Sequence, residues 1–291
     1  MQMQSYICSP MNYIGGKYKL LPQLLPLFPK KIDTFVDMFC GGGNVGINVE
    51  ANKLLLNDNL LYIVDLYRQF KSMTTTEVVN YVEQRIDDFE LSLTNTDGYL
   101  ALRNTYNQER NPLDLFVLTA YSFNHQIRFN NNHQFNIPFG KNRSRYNANM
   151  KKNLELFIAK LHELDVEFSS SNFEELDLSK LTSDDFVYCD PPYLITTGTY
   201  NDGKRGFTGW SHREEMKLLA LLSELNRKGV RFALSNVLMH KGRSNAILKQ
   251  WIEMHNFNVY HLNKDYQNSN YHSINSENDI TDEVLITNYV L

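Results

Sequence analysis

The sequence is poor in cysteine. Of its 291 residues only three are cysteine, Cys8, Cys40 and Cys189, an odd number spread far apart. That excludes a disulfide framework and a cysteine-rich zinc cluster, and it suits a reducing compartment. The eight histidines stand at no metal-ligand spacing, so no metal is expected. No run approaches the roughly 18 apolar residues of a membrane-spanning helix. Met1 to Pro10 has neither a basic n-region nor an apolar h-region, so no signal peptide is expected. Acid is missing from one long stretch. Between Leu115 and Leu154 there is none, while Arg128, Lys141, Arg143, Arg145, Lys151 and Lys152 all fall there. The net charge of −4 therefore hides a basic region, because Asp87, Asp88 and Glu90 concentrate acid upstream. There is no internal repeat, and the only biased tract is the Asn-rich turn Asn130-Asn131-Asn132.

What is present is a globular composition, 42% hydrophobic and 21% charged, long enough for one large or two small domains. Four residues organise it: Asp190-Pro191-Pro192-Tyr193, directly after the apolar run Phe186 to Cys189. Such a run predicts a buried strand. An acid at its end points into the crevice where open α/β sheets bind ligands. The two prolines cannot continue a ladder, and they leave nearby carbonyls free. A carboxylate, a free carbonyl and an aromatic ring together suit a planar group bearing an amino substituent.

The first sixty residues predict a nucleotide-type site. Tyr13-Ile14-Gly15-Gly16-Lys17 is a glycine turn, and Pro22 and Pro26 limit the segment from Leu20 to Phe28 to a short or kinked helix. Thr34 to Cys40 predicts a strand that runs into Gly41-Gly42-Gly43-Asn44-Val45-Gly46, then a helix-compatible Ile47 to Ala51. Glycine there lets backbone approach a ligand, and the spacing also meets the dinucleotide fingerprint. Lys53 to Leu56 predicts a second strand ending at Asn57-Asp58, where an acid can accept ribose hydroxyls. Asp37-x-Phe39-x-Gly41-x-Gly43 places an acid ahead of the glycines. That suits a cationic amino group better than a pyrophosphate, and S-adenosylmethionine better than NAD.

Residues 61 to 154 read as an insertion. Leu61 to Ser72, Glu77 to Leu91, Tyr99 to Tyr106 and Pro112 to Phe123 have helical apolar spacing. Gln126 to Phe129 and Gln134 to Ile137 alternate around a polar turn, which predicts a hairpin. A basic hairpin carrying Asn, Gln and Arg can enter a major groove and pair with guanine or adenine edges. The last third alternates strands (Val166 to Phe168, Phe186 to Cys189, Val230 to Asn236, Val259 to Leu262, Val284 to Val290) with helices at Ser211 to Leu225 and Ala246 to Met254. That order predicts a mostly parallel α/β sheet. Leu194 to Trp210 is expected to be a mobile loop over the site.

Taken together, Tyr13-x-Gly15-Gly16-Lys17, Phe35 to Gly43, Asn57-Asp58, Asp190 to Tyr193, Ser235 to Leu238 and Tyr271-His272-Ser273 resemble the Dam-type (D12 class) DNA adenine-N6 methyltransferases, most closely the phage branch. The resemblance implies a Rossmann-like catalytic domain, residues 1–60 and 155–291. It also implies an inserted, mainly helical target-recognition domain, 61–154, carrying a β-hairpin. It implies S-adenosylmethionine as cofactor, held by Tyr13, Lys17, Asp37, Phe39, Gly41, Gly43, Asp58 and Asp190. Catalysis would fall to Asp190, Pro191, Pro192 and Tyr193. Double-stranded DNA would meet Phe123 as an intercalating aromatic, Arg128 and Pro138 as recognition residues, and Asn124, Gln126, Asn130, Lys141 and Arg143 around them. Gln126 and Asn142 depart from the family pattern. The expected target is an adenine flipped from GATC or a relaxed variant, methylated by a monomer or weak dimer in the cytoplasm of a bacterial or phage-infected cell. Residue types alone leave N4-cytosine methylation and a non-catalytic DNA-binding relative open.

Overall fold

The computed structural model describes residues 6–13, 15–196, 210–263 and 281–290. Eight strands form one sheet: β1 (Thr34–Asp37), β2 (Lys53–Asn57), β3 (Val166–Ser169), β4 (Phe186–Cys189), β5 (Arg231–His240), β6 (Arg243–Ser244), β7 (Asn258–Leu262) and β8 (Thr281–Thr287). Their order is β3-β2-β1-β4-β5-β8-β7, with β6 pairing β5. The run from β3 to β5 is parallel. The strand β8 lies antiparallel to both β5 and β7. Chain order reverses between β1 and β4, so the sheet's ligand crevice opens at the carboxyl ends of those two strands.

The period-2 alternation of these strands divides the core. Phe35, Leu54, Leu56, Phe186 and Tyr188 face one side and Val36, Val187, Cys189, Phe232 and Leu234 the other. The second side is covered by α7 (His212–Arg227) and α8 (Ala246–His255), through Leu218, Leu222, Leu248 and Trp251. Against the first side pack α2 (Leu61–Ser72), α3 (Thr75–Asp88), α4 (Thr96–Glu109), α5 (Pro112–Tyr121) and α6 (Ala148–Glu163), in one continuous apolar cluster. Every residue of α5 from Leu113 to Tyr121 is buried, which makes it the axis of this helical layer. No helix among the described residues is long and apolar enough to cross a membrane.

Two local expectations change and one, the short proline-limited helix, holds. The stretch after the glycines is a single 3-10 turn, Gly46–Asn48, because Asn48 donates to the carbonyls of Asn44 and Ile7 and Val49 is already extended. The proline-limited segment is one α turn, α1 (Leu21–Leu24), between two 3-10 turns. The hairpin has antiparallel direction but only isolated bridges, Phe129 with Phe135 and Ser122 with Phe139. Left-handed residues at Asn124, His125 and His133 interrupt its ladder. Its two phenylalanines are buried, and Tyr62 of α2 stacks on Phe129 at 4.2 Å. The structure also adds α6, capped by Asn147 and carrying Leu154, Phe157, Ile158 and Leu161 at helical spacing. It runs across position 154, so one rigid element joins the helical layer to the sheet.

Candidate active site

Asp37 is the last residue of β1 and stands opposite Tyr188 of β4, two residues before Asp190. Asp37 is 1% exposed, and its Oδ1 has no hydrogen-bond partner among the described residues. Burial raises its pKa well above the usual carboxylate range; the charge of Asp190 adds to this, and the Gly46 and Phe39 amides oppose it. A buried carboxylate oxygen without a donor is costly unless a ligand brings one.

The glycine loop is held by protein groups. Gly41 and Gly43 have φ of 47° and 73°, in the left-handed region. Gly41 also makes room for a neighbour, since a Cβ on it would stand 2.9 Å from the Tyr13 ring. A Cβ on Gly46 would collide with Leu56. The Gly41 amide donates to Asp58 Oδ2 at 2.9 Å, and its carbonyl accepts from the Tyr67 hydroxyl at 2.7 Å. The other oxygen of Asp58 accepts from the Leu60 amide at 2.9 Å. Thus Asp58 shapes the loop, and each of its oxygens keeps a further lone pair for a ligand hydroxyl. Burial raises its pKa too. Phe39 meets Trp210 edge-on at 5.7 Å and Phe173 at 5.6 Å.

Across the crevice the end of β4 carries a tight ionic cluster. Lys17, buried, places Nζ 2.6 Å from Asp190 Oδ2 and 3.7 Å from Glu283 Oε1, and donates to the Gly15 carbonyl. Tyr193 is 6% exposed, and its hydroxyl lies 3.0 Å from both Asp190 Oδ1 and Glu283 Oε1. The Lys17 ammonium sits 5.1 Å from the Tyr193 ring centroid. Burial raises the Asp190 pKa, with Lys17 pulling it back; burial and the two carboxylates push Tyr193 well up, so it stays neutral. Pro191 is buried and Pro192 exposed.

The residues expected at DNA gather on the surface of the Phe123–Arg143 segment. Phe123 is 38% exposed with the Arg143 guanidinium 4.7 Å from its ring centroid. Asn124, Arg128, Pro138 and Lys141 are exposed, Gln126 and Asn130 half-buried. Arg128 donates through Nε and Nη2 to the side chain and carbonyl of Asn136. The Asn124 carbonyl accepts from Asn12 Nδ2 at 3.1 Å, which ties this segment to the Tyr13–Lys17 turn.

A model of the family described as D12 class N6 adenine-specific DNA methyltransferase matches residues 13–269. The chain belongs to that family. Similar proteins include the modification methylase StsI of Streptococcus sanguinis, 54% identical over 98% of this chain and 43% of that protein. The type II methyltransferase M.FokI of Planomicrobium okeanokoites is 53% identical over 98% of this chain and 43% of its own length. The modification methylase LlaI of Lactococcus lactis is 38% identical over 86% and 40%. The chain thus spans under half the length of these relatives. The mostly parallel sheet is consistent with the Rossmann-like fold of that family.

Two groups lie outside the sequence reading. Glu283 begins the apolar run Val284-Leu285-Ile286 and is 3% exposed; its one signal was an acid set against a strand. Glu215 on α7 is fully buried and accepts from Trp210 Nε1 at 2.7 Å, Asn236 Nδ2 at 3.1 Å and Asn245 Nδ2 at 3.2 Å. It fixes Trp210 against Phe39, and nothing local in the sequence marks it. Of the loop expected over the site, 197–209 lies outside the described residues, as do Tyr271 to Ser273.

Proposed function

We propose that the chain transfers the methyl group of S-adenosylmethionine to the N6 amino group of an adenine flipped out of double-stranded DNA. One observation carries the reading: the unpartnered carboxylate oxygen of Asp37 lies in the same crevice as Asp190, one strand away. The first suits a cationic amino group of the cofactor, and the second an amino group of the base.

The cofactor when bound supplies an electrophilic methyl on a sulfonium. The chain supplies placement. Asp37 Oδ1 receives the ammonium of its amino-acid end, Asp58 a ribose hydroxyl, and Tyr13, Lys17 and the 41–43 turn border the pocket. A base inside the duplex cannot reach this crevice, so it is extruded. Asp190 and the Pro191 carbonyl accept hydrogen bonds from its amino group, which turns the nitrogen lone pair outward and favours the positive charge that develops. Tyr193 provides the aromatic face, and stacking of this kind contributes about 1–3 kcal/mol per base. Residues 61–154 act as the recognition part, with Arg128 reading a guanine, Phe123 entering the stack, and the basic side chains on phosphates.

The test is methylation of duplex DNA by the chain with labelled cofactor, followed by digestion to nucleosides. N6-methyladenine is expected, and mapping its positions reads the target, for which GATC or a relaxed variant is the expectation from resemblance. Label in N4-methylcytosine, or none, overturns the reading. Asp190→Ala is expected to abolish transfer while largely sparing DNA binding in a gel-shift titration.

A further inference from the structure

We propose that Glu283 is the terminal acceptor for the proton that the amino group loses, reached from Asp190 through the Tyr193 hydroxyl. The placement is a consequence of topology. Because β8 runs antiparallel to its neighbours, its beginning lies at the edge where the parallel strands end. Glu283 pairs with Val237 there, late in β5. Burying a carboxylate costs several kcal/mol unless it is partnered. Its partners include two groups of the active site, Tyr193 at 3.0 Å and Lys17 at 3.7 Å.

The hydrogen-bond inventory gives the row its capacity. Asp190 Oδ1, Tyr193 Oη and Glu283 Oε1 form two O···O gaps of 3.0 Å each. Tyr193 brings one hydroxyl proton, and a carboxylate brings none. One gap therefore has a place for one more proton. Lys17 touches both ends of the row and need not move.

The reaction releases one proton. The N6 lone pair forms the new N–C bond, the S–C bond breaks with its electron pair left on sulfur, and the nitrogen carries one proton too many. That proton passes to Asp190 Oδ1 and on to Tyr193 Oη, while the tyrosine's own proton moves to Glu283 Oε1. At the end Asp190 is again ionised, Tyr193 again neutral, and Glu283 protonated. Glu283 acts through Tyr193 and is a positioning and relay residue that never touches the base.

The inference rests on the methyl-transfer reading, and the experiment separates the two. Single-turnover methylation is measured for wild type, Glu283→Gln, Tyr193→Phe and the double variant. Glu283→Gln keeps the shape and the acceptor but cannot take a proton. The transfer rate is expected to fall about a hundredfold, the low end of what a positioned proton acceptor contributes. KM for cofactor and for DNA is expected to stay within about twofold, and the double variant to be no slower than either single one. In the cofactor-free protein, infrared spectra at acid pH are expected to show several buried carboxylic-acid C=O bands, of which Glu283→Gln removes one. A wild-type rate in Glu283→Gln, equal losses in rate and binding, additive losses in the double variant, or an unchanged set of infrared bands overturns the relay. Should Glu283→Gln fail to fold, Tyr193→Phe decides alone: an unchanged rate overturns the relay. If the wild-type chain methylates no base, the functional reading falls first and the relay with it.

Discussion

At the scale of single residues the site stores its cost in carboxylates. Asp37, Asp58 and Asp190 all have pKa values raised first by burial. An acid whose folded pKa lies above its unfolded one binds more protons folded than unfolded. The stability difference therefore runs against the folded state as pH rises from the ordinary carboxylate range through the raised pKa, and is constant beyond it. Asp37→Asn removes that loss at its most costly position. The variant is expected to melt higher than wild type at neutral pH without cofactor, and no higher at acid pH, as calorimetry would read. Its affinity for S-adenosylmethionine should drop at least about tenfold, since a hydrogen bond to a charged group is worth about 1.5–3 kcal/mol. In the wild type that affinity should weaken on acidification, as Asp37 takes up a proton, and in Asp37→Asn the slope should flatten. Isothermal titration across pH checks both.

At the scale of elements the helical layer depends on α5 and on one ion pair that pins it. Asp114 of α5 is fully buried, and it accepts from Arg85 Nε at 2.8 Å, Arg85 Nη2 at 2.7 Å and the Tyr81 hydroxyl at 2.9 Å. Both donors come from α3, so a single carboxylate locks two helices. Arg85→Ala leaves a buried charge with one neutral donor. Breaking a buried pair by one partner costs about 3–5 kcal/mol. The variant is expected to lose stability in that range in urea unfolding, with Asp114→Asn on the same background restoring part of it. A surface pair such as Lys151 with Glu83, both more than a third exposed, is expected to move stability by less than about 1 kcal/mol.

At the scale of the whole molecule charge is divided, net negative overall with a basic, acid-free segment that carries the exposed Lys141, Arg143 and Arg145. If this face meets a duplex, binding should weaken steeply with salt through counterion release. Lys141→Ala and Arg145→Ala should each reduce the slope of log K against log salt by about one, alike on all sequences. Arg128→Ala should instead cost about 1–3 kcal/mol of discrimination at one guanine. Anisotropy titrations at several salt concentrations, on specific and random duplexes, separate the two behaviours. Equal loss on both duplexes would make Arg128 a phosphate contact.

Local sequence patterns were enough to specify every strand of the described sheet but β6, the helices α2 to α5 of the insertion, and the family. Those patterns are alternation in Phe35 and Val36, helical spacing in Ile63, Leu66 and Phe70, and Asp190 to Tyr193 after a buried run. The apolar spacing in α6 is equally local, but it is interleaved with the basic Lys151, Lys152 and Lys160. Which distant groups meet was left to the tertiary structure. Lys17, Asp190 and Glu283 come together only because β4 neighbours β5, β5 neighbours β8, and β8 runs backwards. Glu215 collects Trp210, Asn236 and Asn245 from three separate elements. Asp58, expected from the sequence as a ligand acid, holds the Gly41 amide in the structure. The physical reason is the same in each case. Periodicity reports which face of an element is buried, whereas the partner of a buried charge is set by strand order and direction, which no local window contains.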